Sequence, residues 1–83
     1  MHSAANSQAT LAPVLASGRA RELLDSLGAL IDTTTIAQAA VRLRVHRNTV
    51  RAHREELEGL LGLDLGNGAD RSLCALALAA SGR

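Results

Sequence analysis

From Arg19 onward the apolar residues fall into helical spacing. Leu23, Leu24, Leu27, Leu30 and Ile31 stand at i, i+1, i+4, i+7 and i+8, one face of a 3.6-residue helix, and predict a first helix over about 19–31. Asp32-Thr33-Thr34-Thr35 interrupts that stripe with residues that favour caps and turns. Thr35, followed three positions later by Gln38, has the form of a capping box and opens a second helix. This helix carries Ile36, Ala39, Ala40 and Leu43, and it must be short because Arg44-Val45-His46 turns the chain before the next helical pattern. Val50, Leu57 and Leu61 then recur at intervals of seven and four, with Leu60 beside them, and predict a third helix from about Arg47 to Leu61.

Gly62 is placed as a C-terminal cap, Leu63 and Leu65 as apolar plugs, and Gly66-Asn67-Gly68 as a turn that reverses the chain. Asp70 falls near the start of a final helix, where its charge suits the positive end of the dipole, and Leu73, Leu76, Ala77 and Ala80 are its expected buried stripe. Residues 1–18, rich in Ala, Ser, Asn and Gln, read as a flexible arm or linker, although Leu11, Val14 and Leu15 offer docking points. The expected architecture is all-α: a small four-helix domain over 19–83 containing a helix-turn-helix.

Composition sharpens this. The 83 residues include no Phe, Tyr or Trp, so the core must be built from Leu, Ile, Val and Ala, which suit short, closely packed helices. The single cysteine, Cys74, excludes an internal disulfide and a multi-cysteine zinc site. The longest apolar run, Leu73 to Ala80, falls far short of the roughly 20 residues a membrane helix needs. No Lys or Arg precedes Arg19, and Thr10 and Pro13 break the only N-terminal apolar stretch, so the start makes a poor signal peptide. The expectation is a soluble cytoplasmic protein.

The formal net charge of +1 says little about partners, but its distribution says more. Arg42, Arg44, Arg47, Arg51 and Arg54 lie with His46 and His53 in a stretch free of acids, and Glu55, Glu56 and Glu58 follow at once. A short helix with small residues, a tight turn and a longer helix with polar residues at its start form the DNA-reading unit of helix-turn-helix proteins. Ala40 supplies the small side chain where the two helices approach, and Val50 anchors the third helix beneath the turn.

With Val50 at zero on a wheel of about 100° per residue, Asn48, Thr49, Arg51 and Ala52 all look outward. They offer an amide, a hydroxyl and a guanidinium to the major groove, with Ala52 small enough to admit a base edge or a thymine methyl. His46 and Arg47 sit at the helix N-terminus, where phosphate is favoured. Arg42 and Arg44 are expected phosphate clamps that set register. Arg54 falls about 40° from the core direction, an awkward place for a guanidinium unless its stem packs and its head snorkels, or Glu58 at i+4 holds it.

Val45-His46-Arg47-Asn48-Thr49-Val50-Arg51, with Leu57-Glu58 and Gly62-Leu63-Asp64-Leu65 after it, resembles the C-terminal helix-turn-helix domain of PucR-type bacterial transcriptional regulators, which include the CdaR-like sugar-diacid regulators. The resemblance covers about 23–80 and implies operator binding by a cytoplasmic bacterial regulator whose ligand-sensing domains lie outside these residues. It leaves open a stand-alone frame, a truncated regulator and an excised domain. Where the family carries an aromatic, a basic residue and a leucine after the motif, this chain has Ala52, His53 and Arg54.

The expected function is therefore sequence-specific binding of double-stranded DNA by the third helix, with two copies acting as a homodimer on DNA. The alternative is a diverged scaffold that binds protein through the face carrying Glu55, Glu56 and Glu58. No cofactor or metal is expected: His46 and His53 are seven residues, about 10.5 Å, apart along a helix and cannot share one ion. Ser26, Ser72, Asp32 and the histidines follow no triad spacing, so no enzyme is expected.

Overall fold

A computed structural model describes residues 10–80. Residues 1–9 of the expected arm and residues 81–83 of the expected domain lie outside the described residues. A helical segment over 10–15 (α1) is followed by α2 (Ala20–Asp32), α3 (Ile36–Leu43), α4 (Arg47–Leu61) and α5 (Gly68–Ala80), with no strand among the described residues. The all-α architecture holds, with one helix more than the four expected. None of these helices is long and apolar enough to cross a membrane.

The boundaries follow local chemistry. Thr35 Oγ1 accepts from the Gln38 N–H at 3.1 Å and starts α3, while the Gln38 side chain reaches back to the Thr34 N–H at 3.0 Å, one residue earlier than a strict capping box would place it. Gly62, at φ +66°, ends α4 in the left-handed region, and its N–H donates to Glu58 O at 2.9 Å. The expected turn at 66–68 shifts by one residue. Asn67 accepts from the Asp70 N–H at 3.1 Å and caps α5, so Gly68 is already helical.

α2 is the centre of the molecule: it packs against α3, α4 and α5, and α3 also packs on α4. It buries Leu23, Leu24, Ser26, Leu27, Ala29 and Leu30, a wider band than the expected stripe, because three neighbours surround it. Ser26 is nonetheless a polar group in that band, and it is satisfied across the core by His53 Nδ1 at 2.7 Å. α2 ends at Thr33, where the Arg71 guanidinium from α5 donates to Ile31 O at 2.9 Å and Thr33 O at 3.1 Å, giving the helix a cation at its negative end that its own last turn lacks.

Two sequence expectations need correction. Residues 10–15 are not loose: Leu11 and Val14 are fully buried in the core, and of the three expected docking points only Leu15 is left exposed. In α5 only Ala77 of the expected stripe is buried. Cys74 and Ala77 are buried, whereas Leu73 and Leu76 are 43% and 68% exposed and Ala80 is exposed. The small side chains face α2, where they permit close approach. Burial, and secondarily the Asp70 carboxylate, pushes the Cys74 thiol up from its ordinary value, which makes it a poor nucleophile while the protein is folded.

Arg54 is held by Glu58, its Nε lying 3.5 Å from Oε2, and that same oxygen accepts from the Leu65 N–H at 2.9 Å. Glu58 thus pins the buried plug Leu65. Glu58→Ala is expected to cost about 1–2 kcal/mol, and Glu58→Gln to recover most of it, because the amide oxygen still accepts the backbone bond whereas the half-exposed ion pair is worth little. Thermal unfolding by far-UV circular dichroism checks this; equal losses in the two variants would assign the stability to the charge instead.

Candidate nucleic-acid interface

The α3–turn–α4 unit is assembled by backbone geometry first. The Val45 N–H donates to Ala40 O at 3.1 Å and the Arg44 N–H to Val41 O at 3.2 Å, a Schellman-type closure of α3. Arg44 adopts φ 60°, ψ 42°, the left-handed conformation usually left to glycine, and it is the one non-glycine residue at positive φ among the described residues. Ala39 and Ala40 are buried under the crossing, as the expected close approach requires. Arg44→Gly is expected to stabilise the fold by about 0.5–1 kcal/mol, raising Tm by a few degrees, through relief of the side-chain clash. A fall in Tm would show that the arginine side chain holds the turn.

His46 starts α4. Its Nδ1 accepts the Asn48 N–H at 3.0 Å, so the neutral ring carries its proton on Nε2 and acts as the N-cap that a Ser or Asp commonly provides. His46→Ala is expected to cost about 1 kcal/mol, roughly 4–8 °C in Tm, and His46→Ser to restore most of it. An alanine variant as stable as the parent would remove the cap from the account.

Val50 is fully buried, and around it Asn48, Thr49, Arg51 and Ala52 are all exposed, as are Arg42, Arg44, His46 and Arg47. The structure therefore brings the expected residues together on the solvent side of one motif. Arg51 Nη1 donates to Asn48 Oδ1 at 3.2 Å, so these two side chains orient each other. Arg42 lies 3.7 Å from Asp32, an exposed pair that offsets part of its charge. Among the described residues Arg44, Arg47 and Arg51 have no carboxylate within 4.0 Å.

The acids that follow are mostly engaged elsewhere. Glu56 meets Arg19 at 2.6 Å and Glu58 holds Arg54 and Leu65, which leaves Glu55 as the exposed remainder. Sequence reasoning did not find the Ser26–His53, Arg19–Glu56 and Arg71 contacts. Their partners lie 27 to 40 residues apart, and no local pattern signals them. Among the described residues no group of His, Cys, Asp and Glu can hold a metal ion.

No curated protein and no solved structure matches the chain. A family model described as the PucR C-terminal helix-turn-helix domain matches residues 23–80, which run from the first turn of α2 to the end of α5.

Proposed function

This chain belongs to the family of PucR C-terminal helix-turn-helix domains, and from that premise we propose that it is the DNA-binding domain of a cytoplasmic bacterial transcriptional regulator, reading the major groove with α4. The observation that carries the proposal is the cluster of exposed Arg44, Arg47 and Arg51, with no carboxylate within 4.0 Å among the described residues, around Asn48, Thr49 and Ala52 and above the buried anchor Val50. In this reading Asn48 and Arg51 meet base edges, with Thr49 and Ala52 beside them, because an amide pairs with adenine and a guanidinium with guanine in the major groove. Arg42, Arg44, His46 and Arg47 hold phosphates, and the first turn of α4 adds its backbone N–H groups. Two copies occupy half-sites about 34–36 Å apart, and effector sensing resides in a part of the regulator outside these residues.

The alternative, a protein-binding scaffold using the Glu55, Glu56 and Glu58 face, has less support because Glu56 and Glu58 already serve intramolecular contacts. Fluorescence anisotropy with randomised duplex pools separates the two. If about three phosphates are neutralised, affinity falls about 30- to 60-fold between 50 and 200 mM salt, a slope near −0.9 per contact. Binding that does not respond to salt, or no binding at all, would reject the DNA reading.

A further inference from the structure

Three acids follow the arginines of α4, and the fold engages two of them. Glu56 is turned to Arg19, the residue before α2, at 2.6 Å, and Glu58 to Arg54 and the Leu65 N–H. Glu55 is exposed and has no cation within 4.0 Å among the described residues. Arg51 stands four residues before it, but the Arg51 guanidinium donates to Asn48 Oδ1 instead. An acid placed after its base is also the weaker order for such a pair on a helix.

Position gives this carboxylate a direction. At about 100° per residue Glu55 lies about 20° from Asn48 and about 40° from Arg51, on the side of α4 away from the buried Val50 and Leu57. Along the axis it stands about 6 Å beyond Arg51 and about 10.5 Å beyond Asn48. Residues three or four apart on a reading helix can meet successive bases in the major groove, so Asn48, Arg51 and Glu55 have the spacing of three adjacent contacts. Their neighbours on the same stripe are Ala52 and Gly59, both exposed. A Cβ on Gly59 would meet nothing within 4 Å, so packing inside the chain does not call for a glycine in this helix interior, where glycine is unfavourable. The two small residues leave room on either side of Glu55 for another body to come close to α4.

We propose that Glu55 is a third base-reading residue of α4 and accepts a hydrogen bond from cytosine N4. The inference rests on the DNA-binding reading and adds to it a residue and the base that it selects. A carboxylate carried into the major groove is repelled by the phosphates and by the acceptors of guanine and thymine, and only cytosine N4 and adenine N6 offer it a donor. Adenine sets its N7 acceptor beside that donor, whereas cytosine has no acceptor there, so cytosine suits the carboxylate better. Glu55 therefore lowers affinity for most sequences and restores it where cytosine stands at its position, which is selection by repulsion as well as by contact.

Selection of duplexes from a randomised pool by the parent chain, by Glu55→Ala and by Glu55→Gln tests this, followed by anisotropy on single-base variants of the selected site. Glu55 makes no ion pair or side-chain hydrogen bond among the described residues, so both variants are expected to keep the parent's circular dichroism spectrum and Tm. The parent is expected to prefer cytosine at one position by about 5- to 150-fold over the other bases. Glu55→Ala should lose that preference alone and bind random duplex more tightly, and Glu55→Gln should move it to adenine, which an amide meets with both a donor and an acceptor. Replacing the cytosine by 2-pyrimidinone, which lacks the N4 amino group, should weaken the parent far more than Glu55→Ala. Variants that gain affinity for every duplex by one common factor, with the selected sequence unchanged, would show that Glu55 acts only as a charge and would overturn the proposal. A parent that binds no duplex rejects the DNA reading and this inference with it, whereas a parent that selects a sequence indifferent to Glu55 removes this inference alone.

Discussion

Asn48→Ala is expected to lower affinity for a selected operator by about 1–3 kcal/mol, roughly 5- to 150-fold, while affinity for random duplex changes little. The amide is small, exposed and one residue inside the helix N-terminus, where a bidentate contact to adenine contributes to discrimination and hardly at all to phosphate attraction. Arg51→Ala should lose a similar amount at a guanine position. Because Arg51 Nη1 donates to Asn48 Oδ1, each side chain helps to aim the other, and the double variant should lose less than the sum of the two single changes. Arg47→Ala is different in kind: it should weaken selected and random DNA alike and flatten the salt slope by about one contact. Arg19→Ala, outside the motif, should leave sequence preference untouched. Anisotropy with selected and scrambled duplexes reads all four variants. If Asn48→Ala kept both affinity and preference, α4 would not be the reading helix.

Leu57→Ala is expected to unfold most of the protein at physiological temperature, whereas Leu76→Ala should shift Tm by no more than a few degrees. Val50 and Leu57 are the only fully buried side chains that α4 sends into the core, both with no exposed area. Truncating a buried leucine costs about 3–5 kcal/mol once the residual cavity is counted, and a domain of this size, here without a single aromatic residue, has a total stability of about 3–5 kcal/mol. Leu76, 68% exposed, gives up little on truncation, and alanine suits a helix at least as well. Far-UV circular dichroism follows the helices, and the rate at which a thiol reagent modifies the buried Cys74 follows the core. Comparable losses in the two variants would mean that α5 turns its leucines inward after all.

That pair of leucines shows where sequence reasoning succeeded and where it stopped. Leu57 stands in a helix whose other faces carry Arg, Glu, Asn and His, so the buried direction is plain from spacing alone. α5 reads Leu-Cys-Ala-Leu-Ala-Leu-Ala-Ala over its second half, apolar in every direction. A helix without polar punctuation has no preferred phase, so spacing alone makes Leu73, Leu76, Ala77 and Ala80 as good an inward face as any other. The packing against α2 chose the small side chains instead. The N-terminal segment is a related case: the Ala-, Ser-, Asn- and Gln-rich composition of residues 1–18 reads as a loose arm, and the burial of Leu11 and Val14 depends on a core supplied by residues much later in the chain.

The sequence by itself determined the order and limits of α2, α3 and α4, the turn between α3 and α4, and the outward set His46, Arg47, Asn48, Thr49, Arg51 and Ala52, because caps, left-handed stops and helical spacing are interactions over one to four residues. The family resemblance lay in the same short stretch. Only the tertiary structure decided the phase of α5, the docking of α1, and the partners of Ser26, Arg19, Glu56 and Arg71. Each of these depends on surfaces that meet after the chain has closed loops of tens of residues, and no local energy term distinguishes them beforehand. The arginines show the same division: composition grouped five of them between Arg42 and Arg54, but folding tied Arg54 to Glu58 and set Arg42 beside Asp32. Among the described residues Arg44, Arg47 and Arg51 have no carboxylate within 4.0 Å: Glu56 and Glu58 are held by other partners, and the exposed Glu55, at i+4 from Arg51, makes no ion pair with it.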